Sequence, residues 1–169
     1  MKKKKVVIGS GIAATATVAA LGAATWIIGG MVYDGTVGKK PSVKAEDMKE
    51  FYSTREDKVL DTLANYEHET VFVKSEVNDY EVETLSIKAN EETSDAMIVV
   101  HGIGSNYHEV LNVAFNYLEN GYNVVVYHQR NTGLTGGDNY TFGLYERFDL
   151  EAVAQYTRLL YPDGIVGVH

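Results

Sequence analysis

The segment HGIGSN, residues 101–106, holds the residues with the clearest chemical potential. It directly follows the apolar run Met97–Val100, and such a run is typical of a strand buried on both faces. Gly102 and Gly104 allow a tight turn in which the backbone comes close to a ligand. Backbone N–H groups held in this way can stabilise the oxyanion of an acyl-transfer reaction. The residue types therefore permit half of an oxyanion hole, and the surrounding elements must decide whether it is one.

Other polar side chains near this turn have structural interpretations that outweigh catalytic ones. We expect His101 to shape the turn by hydrogen bonding rather than to transfer a proton. Ser105 lacks the sharp strand-to-helix turn that exposes a nucleophilic serine. In the later segment HQRNTG, residues 128–133, Arg130 is expected to brace its loop rather than to bind substrate.

The composition gives no sign of a metal or an organic cofactor. The 169-residue chain has no cysteine, which excludes disulfides and thiol catalysis. Its five histidines form neither H-x-H nor H-E-x-x-H, the spacings that favour zinc. We therefore expect no metal and no cofactor.

The charge is distributed unevenly along the chain. The formal net charge is -8, but from Ala45 onward there are 8 basic and 22 acidic side chains, a net charge of -14. A body this acidic repels a phosphate backbone. Nucleic acid is therefore not an expected partner.

The N-terminal stretch Val6–Tyr33 contains no charged residue, and it follows the four lysines at positions 2–5. A helix of this length exceeds the roughly 30 Å of a bilayer's hydrocarbon core, and Trp26 and Tyr33 would suit its outer interface. We therefore predict a transmembrane anchor over residues 6–33 with the lipid bilayer as partner. Residues 1–5 form the cytoplasmic tail, and the body lies outside a cell membrane that the chain crosses once.

Two alternatives apply to the same stretch. Gly9 and Gly11 belong to a G-x-G-x-x-A pattern, which resembles the phosphate-binding turn of a dinucleotide-binding oxidoreductase. A helix of that fold shows a charged face to water, and this stretch has none. The second alternative is a cleaved signal peptide, whose apolar core is usually shorter, at about 7 to 15 residues. An uncleaved anchor is the favoured interpretation.

The composition of residues 34–65 differs from that of the preceding stretch and indicates a linker followed by an amphipathic helix. The apolar stripe of that helix recurs at helical spacing and comprises Met48, Phe51, Tyr52, Val59, Leu60 and Leu63. We expect the helix to pack against the edge of the following domain or against the membrane surface.

Residues 66–169 alternate between strand and helix patterns. Alternating residues in 68–88 predict a β-hairpin, with Val82, Leu85 and Ile87 on one face. Strands are then expected at 97–100, within 122–130, and at 165–169 as a short buried strand. The helix after the first of these has the expected buried face Val110, Leu111, Ala114, Phe115 and Leu118, with Gly121 as its C-cap. The next helix is expected to bury Tyr145, Phe148, Val153, Tyr156, Leu159 and Leu160.

This order of elements predicts an α/β fold, a three-layer sandwich with a leading β-hairpin and then parallel strands alternating with helices. Ligands of such sheets bind at the carboxyl ends of the strands. HGIGSN, HQRNTG and His169 mark those ends.

From about Tyr66 to His169, these segments resemble the N-terminal half of an α/β-hydrolase. They are most similar to the membrane-anchored extracytoplasmic serine hydrolases of Gram-positive bacteria. The resemblance implies that a G-x-S-x-G nucleophile elbow would follow His169. It also implies that Ile103 N–H donates to the oxyanion while His101, Gly102 and Gly104 shape the turn. His128 stands where this family often has an aspartate.

The resemblance implies a serine hydrolase that is incomplete over these 169 residues, because the nucleophile, the acid and the base histidine would all come later. We expect the chain to be inactive alone, its last strand exposing an apolar edge. A small-molecule or peptide substrate, with ester, amide, lipid and thioester chemistry all open, is expected only for the complete domain. The alternative is a non-catalytic membrane-anchored binding protein.

Overall fold

The computed structural model describes residues 22–34 and 56–169. The chain divides into two compact units, Met1–Gly38 and Lys39–His169. In the first unit, residues 22–34 are helical, and every one of them is exposed. No helix within the described residues is both long enough and apolar enough to cross a membrane. Most of the predicted 6–33 anchor, together with Gly9 and Gly11, lies outside those residues.

The described residues of the second unit form a mixed sheet of five strands. They are β1 (His68–Ser75), β2 (Tyr80–Ile87), β3 (Ala96–Val99), β4 (Asn123–Tyr127) and β5 (Val166–Val168). Their order in the sheet is β1-β2-β4-β3-β5. β2 runs antiparallel to β1 and β4, while β3 is parallel to both β4 and β5. The predicted hairpin and parallel strands are confirmed.

Three described helices accompany this sheet: α1 (Glu56–Leu63), α2 (Tyr107–Glu119) and α3 (Glu146–Leu160). α2 covers one face, where its apolar side chains join a core with Leu85, Ile87, Val99, Val124 and Val126. α3 covers the other face through Val153, which packs with Val82, Ile98, Val125 and Tyr127. β4 is buried at every residue because it lies between the two layers. The fold is the expected three-layer sandwich.

The predicted face of α2 is confirmed at Leu111, Ala114, Phe115 and Leu118, which are all buried. Gly121 follows the helix with φ of +80°, the left-handed conformation that suits glycine just after a helix end. In α1, Leu63 joins the core, whereas Leu60 is 45% exposed. The predicted stripe of that helix is therefore wrong at Leu60, and its members Met48, Phe51 and Tyr52 lie outside the described residues.

The predicted face of β2 is wrong. Val82 lies in the core under α3, whereas Leu85 and Ile87 lie in the core under α2. Side chains alternate along a strand, so residues three apart point to opposite faces. Both sets are buried because β2 is covered by helices on both sides.

The predicted face of α3 is also wrong at three positions. Leu159 is 82% exposed, and Tyr145 and Leu160 are 43% and 42% exposed. The buried residues of this helix are Glu146, Asp149, Ala152, Val153 and Thr157. They recur at spacings of three and four and so share one face. Carboxylates can occupy that face because loop residues satisfy them with hydrogen bonds, as described below.

The final strand is less buried than predicted. Ile165 is 74% exposed and Val168 is 53% exposed, while Val166 is partly buried. β5 pairs with β3 along one edge only, and its other edge has no partner among the described residues. Val168 therefore remains largely in solvent beside a strand edge that no described residue pairs with, and the expected apolar edge is present.

Candidate functional site

The segment after β3 forms a tight turn at the carboxyl edge of the sheet. Ser105 N–H donates to the carbonyl of Gly102 over 3.1 Å, and Gly104 has φ of +78°. A positive φ at the third residue is what a type II turn requires. None of the described residues accepts a hydrogen bond from the backbone N–H of Ile103. That N–H group is therefore a donor in a tight turn, and it is available to an acceptor outside the described residues.

His101 ties this turn to the end of the neighbouring strand. Its Nδ1 lies 2.8 Å from the Gly102 carbonyl, and its Nε2 accepts from the Gln129 backbone N–H over 3.1 Å. The Gln129 side chain donates in turn to the His101 carbonyl. The ring is 2% exposed, and burial lowers its pKa although the Gly102 carbonyl and the Glu109 charge oppose this. His101 is therefore a neutral Nδ1–H tautomer whose two nitrogens are both engaged.

Helix α2 begins immediately after the turn. Asn106 adopts extended backbone angles, and its side chain accepts from His108 N–H as an N-cap. The Ser105 hydroxyl donates to the Glu109 carboxylate over 2.7 Å. A serine activated as a nucleophile needs a neighbouring base such as an imidazole. The contact with Glu109 agrees with the sequence argument that Ser105 is not the nucleophile.

Three imidazoles meet beneath the turn. The His128 ring lies 6.1 Å from His101 and 6.0 Å from His108 between centroids, and 4.1 Å from the ring of Tyr107. His128 Nε2 is 3.7 Å from Glu83 Oε2. Burial, together with the two other imidazoles, lowers the pKa of His128 to about 3. We call His101, His108 and His128 the histidine trio.

The loop after β4 closes over His128. Gly133 has φ of +56°, and a Cβ placed there would lie 2.3 Å from a His128 ring carbon. Leu134 N–H donates to Glu83 Oε2 over 2.8 Å. Sequence reasoning treated His128 only as a substitution for aspartate. It missed the trio because three separate elements bring these rings together.

Arg130 braces the same loop, as the sequence suggested. Its Nε donates to the Asn139 carbonyl over 2.7 Å. The guanidinium lies 5.0 Å from the Tyr145 ring centroid and 5.9 Å from that of Tyr80. The cation is therefore engaged by a carbonyl and two aromatic rings.

Asp149 joins this loop to α3 and was not identified from the sequence. Its Oδ2 accepts from Arg130 N–H over 3.0 Å, and its Oδ1 accepts from Tyr80 and Asn78 over 2.7 and 2.8 Å. Burial raises the pKa of Asp149, and these hydrogen bonds together with the Arg130 charge offset part of that rise. The only signal in the sequence for Asp149 was its position, because it is an acidic residue on a helix face that was otherwise predicted to be apolar.

Glu146 organises the start of α3. Its carboxylate accepts from Thr141 N–H over 2.6 Å, from the Thr141 hydroxyl over 2.5 Å, and from Gly143 N–H over 2.8 Å. Burial alone would raise its pKa, but these hydrogen bonds lower it below the ordinary value. Within residues 22–34 and 56–169, no group of three or more histidine, aspartate or glutamate side chains is arranged to hold a metal ion.

Comparisons with known proteins agree with this architecture. No protein-family model matches the chain. The uncharacterized protein YqkD of Bacillus subtilis is 25% identical over 130 residues, which are 75% of this chain and 42% of that protein.

Two solved structures resemble the second unit. An esterase from Pyrococcus furiosus superposes with a TM-score of 0.55 and 25% identity, over 64% of this chain and 42% of the esterase. A lidless α/β serine hydrolase from Xanthomonas campestris gives 0.51 and 24%, over 60% and 49%. The chain has an α/β-hydrolase fold. It spans less than half the length of each of these relatives.

Proposed function

We propose that this chain supplies the oxyanion-hole half of a serine hydrolase that cleaves esters or amides by acyl transfer. The observation that carries the proposal is the backbone N–H of Ile103, which no described residue accepts. It sits in a rigid turn at the carboxyl end of β3, the edge where sheets of this kind bind ligands. Similarity to an esterase supports the reaction class.

In this proposal successive parts of the sequence supply different catalytic groups. Ile103 N–H would donate to the oxyanion, while His101, Gly102 and Gly104 hold its direction. The serine nucleophile, its acid and its base histidine would belong to residues beyond His169, since the 169 residues contain no G-x-S-x-G. The substrate class then depends on those later residues.

The test begins with the reading frame beyond codon 169. If an in-frame G-x-S-x-G follows, the full product is assayed with p-nitrophenyl acyl esters. Ile103→Pro removes the N–H, and proline is favoured at the second residue of a type II turn. We expect kcat to fall about 100- to 1000-fold, while Ile103→Val stays near wild type. If a stop codon follows directly, the hydrolase proposal fails for this gene and a hydrolase-like binding protein remains.

Residues 6–33 are proposed as a single membrane anchor with the N-terminus in the cytoplasm. The support is compositional, since the stretch is uncharged. Within the described part of the stretch, Trp26, Ile27 and Met31 are 84%, 60% and 70% exposed, and exposed apolar surface is typical of a protein or membrane interaction site. Retention in membranes after an alkaline wash tests the anchor. Release by the wash would contradict it.

A further inference from the structure

The histidine trio sits where three elements of the candidate site converge. His101 follows β3, His128 follows β4, and His108 lies in the first turn of α2. His101 and His128 are each 2% exposed. The His128 ring lies about 6 Å from each of the other two rings, so a proton on His128 would be repelled by a proton on either neighbour.

The surroundings of His128 offer little compensation for a proton. Its Nδ1 is buried and has no hydrogen-bond partner among the described residues. A proton on that atom would be a buried donor without an acceptor, which is costly. On the other side, Glu83 Oε2 stands 3.7 Å from Nε2 and already accepts from Leu134 N–H.

Within the described part of the chain, few other titratable or charged groups face the trio. The Tyr107 ring of α2 lies 4.1 Å from the His128 ring between centroids and is tilted by 34° to it. The charge of Glu109 in α2 opposes the lowering of the His101 pKa. The Arg130 guanidinium is turned away toward Asn139. Glu83 and Glu109 are therefore the carboxylates that face these three imidazoles. Each also accepts a hydrogen bond from another residue, Leu134 and Ser105 respectively.

We propose that the histidine trio is a proton-sensitive lock on the Gly102–Ser105 turn and on the Gly133–Leu134 segment. While all three rings are neutral, His101 holds the Gly102 carbonyl and His128 fills the space beneath Gly133. Acidification favours an open form in which the rings reach water and accept protons. The lock stands apart from the hydrolase proposal, because it concerns the order of the turn and is measured without any activity.

The direction of the pH effect follows from the difference between the histidine pKa values in the open and closed forms. Histidine in water has a pKa near 6.5, whereas burial and the neighbouring imidazoles lower the pKa of His128 to about 3 in the closed form. Between these values only the open form binds the proton, so opening becomes more favourable as pH falls. From pH 7 to pH 5, release of His128 multiplies the opening equilibrium by about 25.

The experiment is amide hydrogen exchange of the full chain at pH 7 and pH 5, read by mass spectrometry and corrected for intrinsic exchange rates. We expect peptides covering residues 101–106 and 128–135 to lose at least 25-fold protection at pH 5. A peptide from the middle of α3, residues 150–157, should stay protected. Equal protection of the turn at both pH values would overturn the lock, as would simultaneous loss across the whole unit.

Matched variants assign the effect to the trio. His128→Gln keeps an amide near Glu83 but binds no proton, so the change between pH 7 and pH 5 should shrink about 25-fold. His68→Gln removes an exposed histidine of β1 and should change nothing. Should His128→Gln fail to fold, the wild-type histidine Cε1–H resonances provide the same test by NMR. Titration of His128 near pH 6.5 with the turn still protected would refute the proposal.

Discussion

At the scale of single residues, the loop between β4 and α3 depends on buried carboxylates. Glu146 is 6% exposed and accepts the three hydrogen bonds from Thr141 and Gly143 described above. Hydrogen bonds to an ionised group are about twice as strong as neutral ones. One side chain thus fixes the backbone path by which the chain enters α3.

Replacing Glu146 tests this role. We expect Glu146→Gln to lower the free energy of unfolding by about 2 kcal/mol, because the amide replaces an acceptor oxygen with a donor that faces other donors. Because hydrogen bonding lowers the pKa of the folded carboxyl, its stabilisation is present above the ordinary value of 4.5 and is lost as pH falls further. Urea denaturation at pH 7 and pH 4 measures both effects. Glu151→Gln, at an exposed position of the same helix, should change stability by less than about 0.5 kcal/mol.

At the scale of elements, α2 matters most because it begins directly after the turn that forms the candidate site. Asn106 caps the helix and is 6% exposed. Losing an N-cap side chain typically costs about 1 kcal/mol. We expect Asn106→Ala to destabilise the unit by about that amount and to increase amide exchange at residues 102–106. Asn106→Ser keeps a capping oxygen and should stay within a few tenths of a kcal/mol of wild type. An alanine variant as stable as the serine variant would show that the cap contributes nothing.

The elements were also the part of this protein most open to prediction. Continuous apolar runs marked β3 and β4, and helical spacing marked α2 down to its glycine end. The faces of β2 and α3 were not predictable in the same way. Val82 and Leu85 are both apolar, so their letters do not reveal that opposite layers bury them. Glu146 can be buried because Thr141 and Gly143, in the loop just before α3, donate hydrogen bonds to its carboxylate.

The candidate site likewise has features that the sequence predicted and features that it did not. Gly102 and Gly104 predicted a turn, and Gly104 has the positive φ that favours glycine. The approach of His128 to His101, by contrast, depends on the order of β3 and β4 in the sheet and on the loop that covers them. Neither the spacing nor the types of the residues around His101 and His128 in the sequence predict that the two rings lie close together. Resemblance to a family gave the role of Ile103 N–H, which remains a prediction.

At the scale of the whole molecule, one side of β5 pairs with no strand among the described residues. Exposed strand edges with apolar side chains promote association. We expect Val168→Lys to reduce self-association because a charge on the edge opposes pairing with another copy. Sedimentation velocity, with all variants in the same detergent, measures it. Val77→Lys, 59% exposed in the β1–β2 turn, is the matched control. Equal reduction by both variants would mean that net charge, rather than the edge, is responsible.

The position of β3 also has a consequence for synthesis. β3 leaves the ribosome before both of its neighbours, since β4 and β5 come later in the chain. Between Val99 and Val168 roughly 70 residues must be translated, which takes on the order of 4 to 14 seconds at typical rates. Throughout that interval β3 is an apolar strand of the nascent chain that lacks one or both of its neighbouring strands. Chaperone binding to the emerging chain should therefore begin at β3 and decline only after β5 has emerged.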